Sequence, residues 1–248
     1  MESSESQRFE ELSQTFFSQE RQKNGIGTLS ERTLHSFVKQ WIEPNTNYHE
    51  QKLKSYIVDI FDGSSITEIQ TKQFFKLIPK LDALLDDYPI TIVYPITYTK
   101  YLSWINTDTQ EHSKPRKSPK TGSVLDAVEE LYALKTRLAH PNLSIQLLFF
   151  DVLETRLLNG WSEDKKKGSH RHDRTPYRYH ETHTYQTPQD YLKLLPDDLP
   201  VSFTSQDLKR KGITLRKAQL LLNVLVSLNC IEPISKKGRF KEYKRTYD

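Results

Sequence analysis

Apolar positions recur along this chain with two periods, and the changes between them lay out its elements. Leu34, Phe37, Val38 and Trp41 fall at helical spacing and predict a helix over 31–42, opened by Ser30 and ended by Glu43-Pro44-Asn45. Three short strand-like runs follow, at 49–54, 55–61 and 65–71, with Asp62-Gly63 turning the chain between the last two. A second helical pattern over 72–85 carries Phe74, Leu77, Ile78, Leu81 and Leu84 on one face, and Pro79 inside it predicts a kink or a split. Residues 88–94 form a near-continuous apolar, β-branched run of the kind a buried strand needs. The predicted order is helix, three strands, helix, strand.

The pattern then changes. Residues 98–106 predict a strand, 126–138 a helix and 143–158 mostly strand with Leu147, Leu148, Phe149 and Phe150 buried. Two stretches, 114–120 and 164–178, are cationic and predicted as loops, the first held out of regular structure by its prolines. From Thr187-Pro188 onward come a capped helix, a second short helix over 204–211 closed by Gly212, and a third over 215–229. The third has Leu215, Ala218, Leu221, Leu222, Leu225 and Leu228 as its buried stripe. Strands at 230–234 and 240–244, joined by Lys236-Lys237-Gly238-Arg239, complete the chain. Three helices followed by a basic hairpin resemble a winged helix-turn-helix.

Composition narrows the class. Apolar residues make up 35% and charged residues 27%, polar for a globular protein but not a disordered one. No apolar run approaches the roughly 20 residues a bilayer span needs, and the first residues lack the basic and apolar segments of a signal peptide. The single cysteine, Cys230, excludes an internal disulfide framework and a cysteine-based zinc cluster, and is expected to fill core. A cytoplasmic location with no membrane partner is the expectation. The net charge of +4 is uneven: residues 1–95 hold 10 Lys/Arg against 14 Asp/Glu, and residues 96–248 hold 26 against 18. A basic second half suggests a polyanionic partner.

The most informative chemistry lies in the second and third strand-like runs. Asp59 sits among Ile57, Val58, Ile60 and Phe61, and Glu68 between Ile66 and Ile69. A carboxylate within an apolar strand is costly unless something pairs with it. Two of them on adjacent strands form a candidate site for a divalent metal, and side-chain alternation puts Gln70 on the face of Glu68.

This order of elements, with Asp59 followed by Glu68-Ile69-Gln70 on consecutive strands, resembles the core of the PD-(D/E)XK nuclease superfamily, and its Glu-x-Gln ending looks more like the competence-associated CoiA-like nucleases than the usual Glu-x-Lys enzymes. The resemblance covers roughly residues 30–95. It implies an α/β protein with a restriction-endonuclease-like αβββαβ core over 30–95. A polar tail or helix (1–29) precedes the core, and a β-rich basic extension (96–186) and a winged-helix domain (187–248) follow it. It implies Mg²⁺ or Mn²⁺ held by Asp59, Glu68 and the backbone carbonyl of Ile69. Gln70 stands where the superfamily has lysine: an amide can orient the attacking water but cannot neutralise charge or act as a base. Glu50 on the preceding strand could reach the same site, and Lys54 could supply part of the missing positive charge.

The expected function is metal-dependent hydrolysis of DNA phosphodiester bonds, with Asp59, Glu68, Gln70 and Glu50 in the catalytic site. RNA stays open as a substrate and a homodimer as the assembly. The alternative is a catalytically inactive nuclease fold that binds DNA or regulates. Nucleic acid would be held by Lys114, Arg116 and Lys117 in one cationic stretch and by Lys165, Lys166, Lys167, Arg171 and Arg174 in the other. Arg216, Lys217 and Asn223 on the third C-terminal helix would face a groove, with Lys236, Lys237 and Arg239 on the hairpin touching phosphates.

Overall fold

The structure, a computed structural model, describes residues 4–24, 31–106, 108–109, 111–161 and 167–246. It is a mixed α/β protein. In chain order the elements begin with α1 (Ser4–Asn24), α2 (Glu31–Ile42), β1 (His49–Leu53), β2 (Tyr56–Phe61), β3 (Ile66–Ile69), α3 (Ile78–Leu84) and β4 (Ile90–Ile105). They continue with β5 (Arg116–Thr121), α4 (Val128–Ala133), β6 (Leu143–Trp161), β7 (Lys167–Tyr185) and α5 (Pro188–Leu192). The last are β8 (Ser202–Thr204), α6 (Ser205–Arg210), α7 (Leu215–Ser227), β9 (Ile231–Lys237) and β10 (Phe240–Arg245). The chain divides into two compact units: Met1–His49, Pro95–Ser123 and Leu148–Thr182 form the first, and Glu50–Tyr94, Val124–Leu147 and His183–Asp248 the second.

In the first unit, Phe9 of α1 is the centre of the packing. Its ring lies 5.0 Å from Phe37 and 5.1 Å from Trp41, both on α2, and 5.8 Å from Phe150 on β6. Phe17 packs on Phe37 as well, and the Arg8 guanidinium sits 4.6 Å over Trp41. Of the tail or helix that the sequence left open at its start, a helix forms, because two buried rings anchor an otherwise polar segment.

Two predicted loops prove to be strands. Residues 116–121 form β5, antiparallel to β4 with Tyr101 opposite Lys117 and Leu102 opposite Arg116. Its pairing rests on backbone hydrogen bonds rather than on an apolar stripe, and a register shift between Thr99 and Tyr101 takes up the segment containing Pro119. Gly122 follows because a Cβ there would collide with the Thr97 carbonyl. From Lys167 on, the second cationic stretch belongs to β7. The two strands expected at 88–94 and 98–106 are one, β4, since Pro95 stays within β geometry.

The second unit carries the predicted hairpin. Asp62 accepts hydrogen bonds from the Ser64 and Ser65 amides at 2.8 and 2.7 Å, and Gly63 takes φ +95°. The Ser64 and Ser65 hydroxyls donate to Asp62 as well, each at 2.8 Å, and together these four bonds hold its carboxyl well below the usual carboxylate range. β2 runs antiparallel to β3, with Ile60 opposite Thr67, and β3 runs parallel to β4, with Glu68 opposite Ile92. Pro79 does split the helical stretch, into a 3₁₀ turn (Phe74–Leu77) and α3, where it occupies the first turn.

In the same unit the chain order α5, β8, α6, α7, β9, β10 ends in a three-stranded sheet ordered β8-β10-β9. Thr204 and Asp207 form a reciprocal cap on α6: Thr204 accepts from the Gln206 amide at 3.1 Å, and Asp207 accepts from the Thr204 amide at 2.8 Å. Thr204→Ala is expected to cost about 1 kcal/mol, read as a lower urea midpoint with an unchanged slope.

Candidate functional site

Continuing the β2–β3 register from Ile60 and Thr67 places Asp59 opposite Glu68, on one face of the pair. Val58 and Ile60 point to the other face and are buried. Asp59 Oδ2 accepts the Ile69 amide at 2.8 Å, which fixes its rotamer across the strand gap. Glu68 is only 3% exposed. Its partner is Lys80, in the first turn of α3, whose Nζ lies 2.7 and 2.8 Å from the two carboxylate oxygens and 2.8 Å from the Ile57 carbonyl.

Burial pushes the Glu68 carboxyl up to about 7; the Asp59 charge adds to that, and Lys80 opposes it. The site thus concentrates more negative charge than one ammonium neutralises.

The segment that carries Lys80 is pinned at its start. Glu130 of α4 accepts the Gln73 and Phe74 amides at 2.9 and 2.7 Å, satisfying donors left open at a helix N-terminus. Gln73 adopts a left-handed φ of 61° to allow it. Tyr94, packed edge-on against Phe74 at 5.4 Å, has its hydroxyl pushed up to about 12 by burial and by the Glu130 charge.

The other predicted members sit as follows. The Gln70 amide nitrogen donates to the Lys72 carbonyl at 2.5 Å. Glu50 is exposed on β1 with φ 51°. Lys54 is turned to the Ala83 carbonyl and Asp87, at 2.6 and 2.5 Å, so it is Lys80 and not Lys54 that brings positive charge to Glu68. Among the described residues no three His, Cys, Asp or Glu side chains are gathered for a metal ion.

Lys80 was legible in principle. It falls on the inward stripe with Leu77, Leu81 and Leu84, where a lone charge signals a buried partner.

Of the predicted nucleic-acid contacts in the first unit, Lys114, Arg116 and Lys117 are exposed, the last two on β5. Arg174 on β7 donates to the Thr97 hydroxyl at 2.6 Å. Lys165 and Lys166 lie outside the described residues, as do the side chains of Lys167 and Arg171. Two buried acids of β6 have side-chain partners: Asp151 lies 2.8 Å from the His180 ring and accepts the Thr99 amide, and Glu154 pairs with Arg156 at 2.6 Å.

In the second unit, Lys217 pairs with Asp126 at 2.7 Å and Arg216 with Glu129 at 3.4 Å, while Asn223 bonds back to the Gln219 carbonyl of its own helix. Lys236 and Lys237 are exposed on β9, and the Arg239 guanidinium lies 5.1 Å over Phe240. Cys230 is buried, with its thiol pushed up to about 11 by that burial.

The geometry is that of a mixed α/β protein with a carboxylate pair set beneath a helix-borne lysine. Residues 32–186 match the family described as Domain of unknown function (DUF8091), and the chain belongs to that family. An uncharacterized protein of Treponema pallidum (strain Nichols) is 29% identical over 224 residues, covering 89% of this chain and 87% of that protein. No solved structure matches. No helix among the described residues is long and apolar enough to cross a membrane.

Proposed function

We propose that this protein is a metal-dependent nuclease of PD-(D/E)XK type that cleaves DNA, with a C-terminal winged helix. The observation that carries the reading is the placement of Asp59 and Glu68 across β2 and β3, with Lys80 at 2.7 Å from Glu68. The strand directions support it, β2 against β3 and β3 along β4 with α3 between them. The order α5, β8, α6, α7, β9, β10 with sheet order β8-β10-β9 supports the winged helix.

The donor set fits a hard divalent cation: oxygen atoms only, two carboxylates and the Ile69 carbonyl, with negative charge in excess of Lys80. Mg²⁺ or Mn²⁺, when bound, supplies a Lewis acid and a more acidic water. The remaining work falls to the chain. Lys80 stands in for the lysine that Gln70 replaces, offering a cation to the negative charge that builds on the scissile phosphate. Gln70, once free of the Lys72 carbonyl, can hold water by hydrogen bonding but cannot take its proton. The exposed cations of 114–117 and of the β9–β10 hairpin hold the backbone phosphates.

The inactive alternative has its own support, since both Glu68 oxygens already hold Lys80 and Gln70 is engaged with backbone. The two separate in one assay: supercoiled, linear and single-stranded DNA incubated with Mg²⁺, Mn²⁺ or EDTA. Cutting that needs the metal supports the nuclease; binding to DNA without cutting under either metal selects the regulatory reading.

A further inference from the structure

β4 and β5 line an open concave site of about 640 Å³ in the first unit, a volume in the range of small-ligand pockets. Its wall combines three chemistries. Trp104 supplies an indole, Leu102 and Pro119 an apolar floor, and Arg116 and Lys117 two cations. Register places three of these residues together: Leu102 pairs with Arg116, and Trp104 follows two residues on, so all three project from one face of the hairpin, while Lys117, opposite Tyr101, starts from the other face and reaches the site from β5.

The cations are unopposed. Residues 112–125 contain Lys114, Arg116, Lys117 and Lys120 and no carboxylate. Among the described residues neither Arg116 nor Lys117 forms an ion pair, in contrast to Arg137, Arg156 and Lys217. Nor does the Trp104 indole N–H have a protein acceptor there. A half-buried indole beside cations that no carboxylate neutralises offers an anionic ligand with a flat face both a stacking surface and a counter-charge.

We infer that this hairpin is a binding site for single-stranded nucleic acid, with a base stacked on Trp104 and the neighbouring phosphates on Arg116 and Lys117. An unpaired base is specified because only an unstacked base presents its face to an indole; a duplex offers phosphates to the cations but no free base face. Carboxylates alone, as on a polyglutamate, would satisfy the cations and leave the indole uncovered. The inference rests on the nucleic-acid reading above but not on catalysis, and it refines the substrate to one with a single-stranded segment.

The test is equilibrium binding in EDTA, so that cutting plays no part, of the full chain to a fluorescein-labelled oligothymidylate and to a duplex of equal length. Trp104→Ala is expected to weaken oligothymidylate binding about tenfold, the effect of losing one stacked base, and to leave duplex binding within about twofold. Trp104→Phe keeps a ring and is expected to recover most of the loss. Arg116→Gln with Lys117→Gln is expected to flatten the salt dependence by about 1.4 in log–log slope, the value for two single-strand phosphate contacts.

Equal losses on both DNAs, no effect of Trp104→Ala, or competition by polyglutamate as strong as by unlabelled oligothymidylate would each overturn the inference. So would the absence of any oligothymidylate binding. Binding as expected from a protein that never cuts would keep this site and remove the nuclease.

Discussion

Asp59→Asn and Glu68→Gln are each expected to lower metal-dependent DNA cleavage on the order of 10³-fold, the scale seen when one preorganised charged or polar group is removed from a reacting phosphate or acyl centre. Both substitutions keep shape and remove a negative charge, so they test charge rather than packing. Asp59→Asn keeps an oxygen for the Ile69 amide bond, and Glu68→Gln keeps one for Lys80. The fold should therefore survive, to be checked by circular dichroism and urea unfolding. Binding to DNA in EDTA should stay within a factor of two, because the proposed phosphate contacts lie elsewhere. A wild-type rate in either variant would take that carboxylate out of the chemistry. A large loss of binding in both would instead mark the site as a DNA contact.

The hairpin that holds this site was open to reading because its signals are local. Alternation along β2 and β3, and a turn built on Asp62 and Gly63, place Asp59 and Glu68 without knowledge of the rest of the molecule. Lys80 needed more, since its pairing is fixed only when α3 is laid on the strands, and the helix pattern gives the stripe but not what lies under it. Lys54 looked equally available in sequence, yet α3 offers it Ala83 and Asp87 instead.

Two stretches read as loops that form strands, β5 and most of β7, share one cause. Their residues are polar, so the pairing is carried by backbone bonds that leave no periodic trace. α1 is the opposite case. Two phenylalanines eight residues apart suffice to bury a helix whose other positions are mostly polar, and that signal is too sparse to separate from a tail. On α7 the apolar stripe was legible, while the partners of Arg216 and Lys217 were not, because Asp126 and Glu129 come from a segment some 90 residues earlier. If α7 is to meet DNA through those two side chains, these ion pairs must open.

Lys80→Met is expected to be the most destabilising single change at the site, and its cost should depend on pH. It leaves a 3%-exposed carboxylate without its cation. Removing one partner of a buried pair typically costs about 3–5 kcal/mol. The pH dependence follows from Glu68. Its folded value of about 7 lies above the ordinary 4.5, so its share of stability is fully present below 4.5 and is lost as pH rises through 7. Without Lys80 that value rises further. At pH 8 the variant must then either bury an unpaired charge or take up a proton against the solution, and the larger loss appears. At pH 5 Glu68 is largely protonated with or without Lys80, and the loss should be smaller by about 1.4 kcal/mol, the linkage that one pH unit above a folded value of about 7 supplies. Adding Glu68→Gln to Lys80→Met should restore most of the stability at pH 8, as removal of the second charge does for buried pairs. Urea midpoints of the four proteins at the two pH values complete the cycle. An equal loss at pH 5 and pH 8, or a double variant no more stable than Lys80→Met, would mean that Lys80 acts through packing of its aliphatic stem and not as the counter-charge to Glu68.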